Sequence, residues 1–213
     1  MKNITLFLWL ISSAVLATEF DDTLKLANEG DADAQYNLGF MYETGKGVPV
    51  DDKEALKWYL KAAQQSFTKA YFSVGNMNQD SEVIPENDKE AFKWYLKSAQ
   101  AGYAIGEFYV GYMYRSGKGV PENYKEAFKW YRKAADQGIP YAQANLGYMY
   151  FNGLGVPEDY ISAYVWYSMA KTSDIKEFGD DVEAVKVKMS KQQIAEGQRR
   201  ATMCYKSNYK DCD

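Results

Sequence analysis

Residues 38–63 read LGFMYETGKGVPVDDKEALKWYLKAA, and this stretch decides the architecture. With Ala34 just upstream, Leu38, Met41 and Tyr42 fall at i, i+4, i+7 and i+8, one apolar stripe of a 3.6-residue period. Ala55, Trp58, Tyr59, Ala62 and Ala63 draw a second stripe of the same kind. Between them, Gly45-Lys46-Gly47-Val48-Pro49 stops a helix and turns the chain. Asp51 then stands where a helix N-cap belongs, and Glu54 three residues on gives it the signature of a capping box. The stretch predicts a helix–turn–helix.

The unit recurs. Trp58, Trp94, Trp130 and Trp166 stand at intervals of 36, as do Pro49, Pro85, Pro121 and Pro157. Asn87/Glu90 and Asn123/Glu126 repeat the cap and its acid, whereas Asp159/Ser162 keeps the cap alone. One helix pair cannot bury both stripes, so neighbouring pairs must stack. The expectation is an all-α protein, an α/α solenoid with four repeats over residues 31–66, 67–102, 103–138 and 139–174. Residues 18–30, where Ala27 takes the place of Ala63, read as an N-terminal half repeat. Residues 175–203 read as a pair of capping helices, the second opening at Ser190-x-x-Gln193 and running to about Met203, with 204–213 as a tail.

Gly39, Gly75, Gly111 and Gly147 interrupt the first helices at a cost of about 1 kcal/mol each relative to Ala. That cost requires a close approach, with a Trp or Tyr of the second helix against bare backbone. Trp130 is expected to be buried in a middle repeat, so that Trp130→Ala would cost about 3–5 kcal/mol. Repeat two differs, because Ser81 and Val83 replace both turn glycines. A β-branched residue tolerates positive φ poorly, so this turn is predicted to take another path.

The pattern Ala-x-x-x-Leu-Gly-x-Met-Tyr-x-x-Gly-x-Gly-Val-Pro, then Ala-x-x-Trp-Tyr-x-x-Ala-Ala, resembles the Sel1-like repeat, a relative of the tetratricopeptide repeat. It covers residues 31 to about 173. The resemblance implies a right-handed superhelix of antiparallel helix pairs whose concave side binds proteins or peptides. It also implies exported bacterial adaptors that act at the cell envelope or against host cells. Some cysteine-rich relatives bind or hydrolyse β-lactams. They carry a cysteine pair in each repeat, and this chain has none there.

Residues 1–17 combine Lys2, an apolar run from Ile4 and a small-residue exit with Val15 and Ala17, the pattern of a signal peptide cleaved after Ala17. Its apolar run, about 14 residues, is short for a membrane span. The protein is therefore expected in the periplasm or outside the cell. Cys204 and Cys212 read as one disulfide in that setting, with two free thiols as the other possibility. Histidine is absent, which removes the commonest general base and metal ligand. Two cysteines without histidine fall short of a zinc set. No nucleophile–base pair, phosphate loop or paired carboxylates can be read, so no catalytic residue, metal or cofactor is expected and the chain reads as non-enzymatic. A net charge of −4 gives no electrostatic reason for nucleic-acid binding.

Binding candidates lie on the first helices, roughly opposite Leu38. They are Tyr36 and Phe40, then Phe72 and Asn76, Phe108 and Tyr112, and finally Ala144 and Tyr148. Tyr36, Phe72 and Phe108 divide between packing and binding, while Phe40, Tyr112 and Tyr148 are expected to stand exposed as anchors. Lys53, Lys57, Lys61 and their counterparts one and two repeats on read as a solvated face with local Glu–Lys pairs. Contact of that face with an anionic membrane surface is the alternative. The expected function is a monomeric protein-binding adaptor of the envelope. Alternatives are an immunity protein against a secreted effector or a cell-wall glycan binder, with a β-lactam or peptidoglycan hydrolase last.

Overall fold

A computed structural model describes residues 18–80, 86–173 and 178–212, without the side chains of Asp80 and Phe178. The expected signal segment, the repeat-two turn with Ser81 and Val83, and residues 175–177 lie outside the described residues. The chain divides into two compact units, residues 1–98 and 99–213.

In the first unit, residues 18–28 form helix α1. After it come α2 (Ala32–Thr44), α3 (Asp52–Gln64), α4 (Thr68–Asp80) and most of α5 (Asp88–Gln100). The second unit holds α6 (Ala104–Ser116), α7 (Tyr124–Asp136), α8 (Pro140–Asn152), α9 (Tyr160–Lys171), α10 (Phe178–Lys186) and α11 (Lys191–Lys206). No strand occurs among the described residues, which form an all-α, α/α solenoid of helix pairs. Each helix packs on the next within α2–α3–α4 and within α6–α7–α8–α9, and both α10 and α11 pack on α9.

Gly45, Gly117 and Gly153 end α2, α6 and α8 in the left-handed region, at φ 73°, 70° and 64°. Only glycine enters that region without a Cβ clash. Asp51, Asn123 and Asp159 then cap the following helices through their side-chain oxygens. The capping box expected at Asp51/Glu54 does not close. The Asp51 N–H instead donates to the Tyr42 carbonyl at 2.9 Å, and the same tie recurs from Asn87 to Asn78, Asn123 to Tyr114 and Asp159 to Tyr150. With that donor taken by the preceding helix, Glu54, Glu90 and Glu126 turn outward to Lys57, Lys93 and Lys129. Ser190 and Gln193 do form the reciprocal box.

The four mid-helix glycines meet tyrosines. A Cβ added to Gly39, Gly75, Gly111 or Gly147 would lie 2.7, 2.6, 2.8 or 2.7 Å from the ring of Tyr59, Tyr95, Tyr131 or Tyr167. Tyr59, Tyr95 and Tyr131 are fully buried. The tryptophans depart from expectation. Trp58 and Trp166 are buried, but Trp94 and Trp130 are only half-buried, under the ammonium groups of Lys97 and Lys133 at 4.0 and 3.9 Å from the ring centroids. The reason is angular: one residue turns a helix by about 100°, so only the tyrosine faces the glycine. The lysine stem covers the indole and keeps its charge in water.

The capping region reuses the device, with Gly197 of α11 set against the ring of Tyr164 at 2.7 Å from a would-be Cβ. Helix α11 runs to Lys206, past the expected Met203, so Cys204 sits in its last turn and is bonded to Cys212 in the tail.

Candidate functional site

The first-helix face carries a row of rings at one repeat position. Tyr36 packs on Tyr59 with ring centroids 5.4 Å apart, Phe72 on Tyr95 at 5.6 Å, and Phe108 on Tyr131 at 5.7 Å. All three are half-buried. They lid the buried tyrosines and are spent on packing. Asn76 is also engaged, its Oδ1 accepting from the Tyr95 hydroxyl at 2.8 Å. Tyr112 is half-buried where exposure was expected, because its ring packs against the core of the second unit, with Arg115 one turn on 5.9 Å from it. Phe40 and Tyr148 do stand out, at 46% and 43% exposed.

Repeat four breaks the row. Ala144 stands where the other repeats have Tyr36, Phe72 and Phe108, so that position brings no ring to Tyr167, which is 6% exposed. The space opens into two hollows that share Tyr148, Tyr167 and Asp181. One continues past Ala144 to Arg115 and Tyr141, and the other past Phe151 to Val185 of α10. Tyr141 is 52% exposed, and its ring centroid lies 6.2 Å from that of Phe108. Of the expected residues in this unit, Tyr148 lines the hollows, Tyr112 reaches them through Arg115, and Phe108 borders them through Tyr141. In the first unit, Tyr36 and Phe40 share α2 while Phe72 and Asn76 share α4.

The hollow has both charges. Burial, and then the neighbouring Asp180, raises the Asp181 carboxyl above its usual range. Burial also raises the Tyr167 hydroxyl, with Asp181 and Tyr148 adding to the effect. Three tyrosines, an asparagine, a carboxyl and a guanidinium around Ala144 suit recognition of a peptide, which offers rings, amides and charges. No nucleophile–base pair is set up there. Among the described residues, no group of three or more His, Cys, Asp or Glu could hold a metal ion.

The Sel1 repeat pattern matches residues 32–67, 68–103, 104–139 and 140–174. The chain belongs to the Sel1 repeat family. Sel1 repeat proteins are protein-interaction scaffolds, and the fold is typically non-enzymatic. A Sel1 repeat protein from Oxalobacter formigenes shares 28% identity over 88% of this chain and 79% of its own, with a TM-score of 0.74. A protective antigen of uropathogenic Escherichia coli with an SLR fold shares 27% identity over 88% of this chain, with a TM-score of 0.55. The chain spans about half of that antigen, 48%. An immunity protein from Pseudomonas aeruginosa has the fold at 19% identity over 94% of this chain and 79% of its own, with a TM-score of 0.51. No curated protein matches the sequence.

Tyr167, Arg115 and Asp181 are among the lining residues that the sequence did not single out. Tyr167 sits at the repeat position of Tyr59, Tyr95 and Tyr131, so it reads as core, and only the exchange at Ala144 signals that it opens. Arg115 was legible by alignment with Glu43 and Gln79, an unlike set at a Sel1 position next to the groove row. Asp181 had no signal, because α10 lies beyond the fourth Sel1 match.

Proposed function

We propose that this chain is a non-enzymatic scaffold that binds a protein or peptide on the first-helix face of its repeats, with the hollow beside Tyr167 as the principal seat. The observation that carries this reading is Ala144 in place of a ring, which leaves exposed Tyr148 beside an open pocket where the other repeats are filled. A rigid, exposed aromatic next to a hollow is the arrangement of an interface anchor. The lysine face is accounted for locally, by pairs with glutamates and by lids over tryptophans. Export is part of the proposal: residues 1–17 have the signal pattern, and a Cys204–Cys212 disulfide belongs to an oxidising compartment.

The test is capture of partners from envelope extracts by the tagged chain. Tyr148→Ser removes the anchor, and Ala144→Phe restores the ring of repeats two and three. Each should weaken capture about thirtyfold or more, equivalent to about 2 kcal/mol, with melting close to the parent. Lys129→Gln is the control and should capture normally. Normal capture by both groove variants, or loss by the control, overturns the reading. If the captured protein is a secreted effector, the chain acts as an immunity protein through the same face.

A further inference from the structure

The two hollows beside Tyr167 differ in charge. The one that reaches Tyr141 has the Arg115 guanidinium in its lining. The other, about 220 Å³, is walled by Tyr148 and Phe151 of α8, Tyr167 of α9 and Val185 of α10. Among the described residues that line it, Asp181 is the only charged one. Asp180 and Asp181 both stand in the first turn of α10, where an acid suits the helix dipole. Asp180 can serve that role from water, exposed, whereas Asp181 is half-buried and lines the hollow with the rings. A carboxylate drawn out of water needs a counter-ion or donors. Among the described residues no cation pairs with Asp181, and Lys186 on the same helix is turned to Glu183 at 2.7 Å. Burial without a counter-ion holds the Asp181 carboxyl above its ordinary range, and Asp180 adds to the effect. Asn152 brings a second acceptor: its Nδ2 donates to the Tyr148 carbonyl at 2.8 Å, which leaves Oδ1 for a ligand.

We propose that the hollow against α10 takes a basic side chain, lysine or arginine, of the bound peptide, with Asp181 as its counter-ion. The inference rests on the peptide-binding reading above. A cationic head has several N–H donors and no acceptor, which matches a carboxylate and an amide oxygen in one wall. Charge-assisted bonds of this kind are the strong ones. The rings of Tyr148, Phe151 and Tyr167 add to the attraction, because an aromatic face draws a cation, more so where water is thinned out. The apolar stem of the side chain lies against Phe151 and Val185, as such stems do on apolar surface. An acidic side chain is repelled by Asp181, and a neutral one leaves the carboxylate without a partner. The volume is below that of a pocket for a drug-sized molecule and suits one side chain.

The test is an NMR titration of the full-length chain, following the backbone amides of Tyr148 and Val185. The probes are acetylated tripeptide amides with lysine, arginine or norleucine between two alanines, and the norleucine peptide with a free N-terminus. The lysine peptide, the arginine peptide or both should shift these resonances saturably, and which one does so assigns the side chain. Norleucine has the stem without the charge and should bind about tenfold more weakly or not at all. Asp181→Asn should weaken the basic peptides about tenfold or more, while melting stays close to the parent. Asp180→Asn removes the same charge one residue away and should change affinity about twofold at most. Four results overturn the proposal: no saturable shift with either basic peptide, norleucine bound as tightly as they are, equal affinity in the two Asp variants, or the free N-terminus bound more tightly than either basic side chain. Normal partner capture by Asp181→Asn, with capture lost in Tyr148→Ser, removes the subsite and leaves the groove standing. Capture kept in Tyr148→Ser and Ala144→Phe fails the wider reading.

Discussion

Trp130 lies half-exposed beneath the Lys133 ammonium, 3.9 Å from its ring, whereas Tyr131 one residue on is fully buried where Gly111 leaves out a side chain. The larger and more apolar ring is the more exposed one. In this repeat burial follows the space that a glycine opens across the helix pair, and not the size of the residue. The tyrosines fill the space between the paired helices, while Trp94 and Trp130 lie at the edge beneath lysine ammonium groups and Trp58 and Trp166 are buried.

Substitutions can break this contrast, and the largest effect is expected at Tyr131. Tyr131→Ala empties a closed aromatic site and should lower stability by about 3–5 kcal/mol, read from chemical denaturation. Trp130→Ala should lower it by about 1–2 kcal/mol, because half of its ring is already in water. Equal losses for the two would abolish the distinction between the filled space and its edge. Gly111→Ala should cost about 1 kcal/mol net: a Cβ would press on a ring that cannot move, and the better helix propensity of Ala returns part of that cost. A gain in stability would show that the tyrosine can slide.

The smallest effect concerns a polar position that also differs between repeats. Gln35 and Gln143 each donate across to a helix-end carbonyl, of Ala27 at 3.1 Å and Ala135 at 3.3 Å. Repeat three has Glu107 instead, 5% exposed, which can only accept, and it takes a bond from Gln137 Nε2 at 2.7 Å. Burial raises the Glu107 carboxyl above its ordinary value of 4.5, against the opposing pull of Gln137 and Lys133. The folded state therefore holds this proton more tightly than the unfolded chain. Glu107 favours folding most at low pH, and that contribution is lost as pH rises from about 4.5 through the raised value. Glu107→Gln should remove this slope and leave the protein slightly more stable at pH 7, as followed by melting across a pH series. A variant less stable than the parent at pH 7 would show that the ionised carboxylate is well accommodated.

Much of the fold was legible because its causes are local. Gly45, Gly117 and Gly153 mark helix ends by the φ they tolerate, and Asp51, Asn123 and Asp159 mark helix starts by what their side chains accept. The capping boxes misled because the donor they need is used by a backbone bond to the previous helix, a partner nine residues back that no local pattern reveals. The groove row was read on the first-helix face opposite Leu38, and on that face Tyr36, Phe72 and Phe108 pack on the buried tyrosines of the second helices.

By itself, the sequence determined the repeat length, the helix pairs, their ends and the requirement for an aromatic ring against each glycine, since periodicity and backbone sterics act within a few residues. Only the tertiary structure decided that the ring is the tyrosine and not its tryptophan neighbour, because that depends on how one helix is rotated against another. It alone brought Asp181 of α10 to Tyr148 and Tyr167, with Arg115 in the same lining. Those groups are 14 to 66 residues apart in the chain (181 − 167 and 181 − 115). They meet only because hydrophobic packing closes the stack, and no rule of local spacing encodes that meeting.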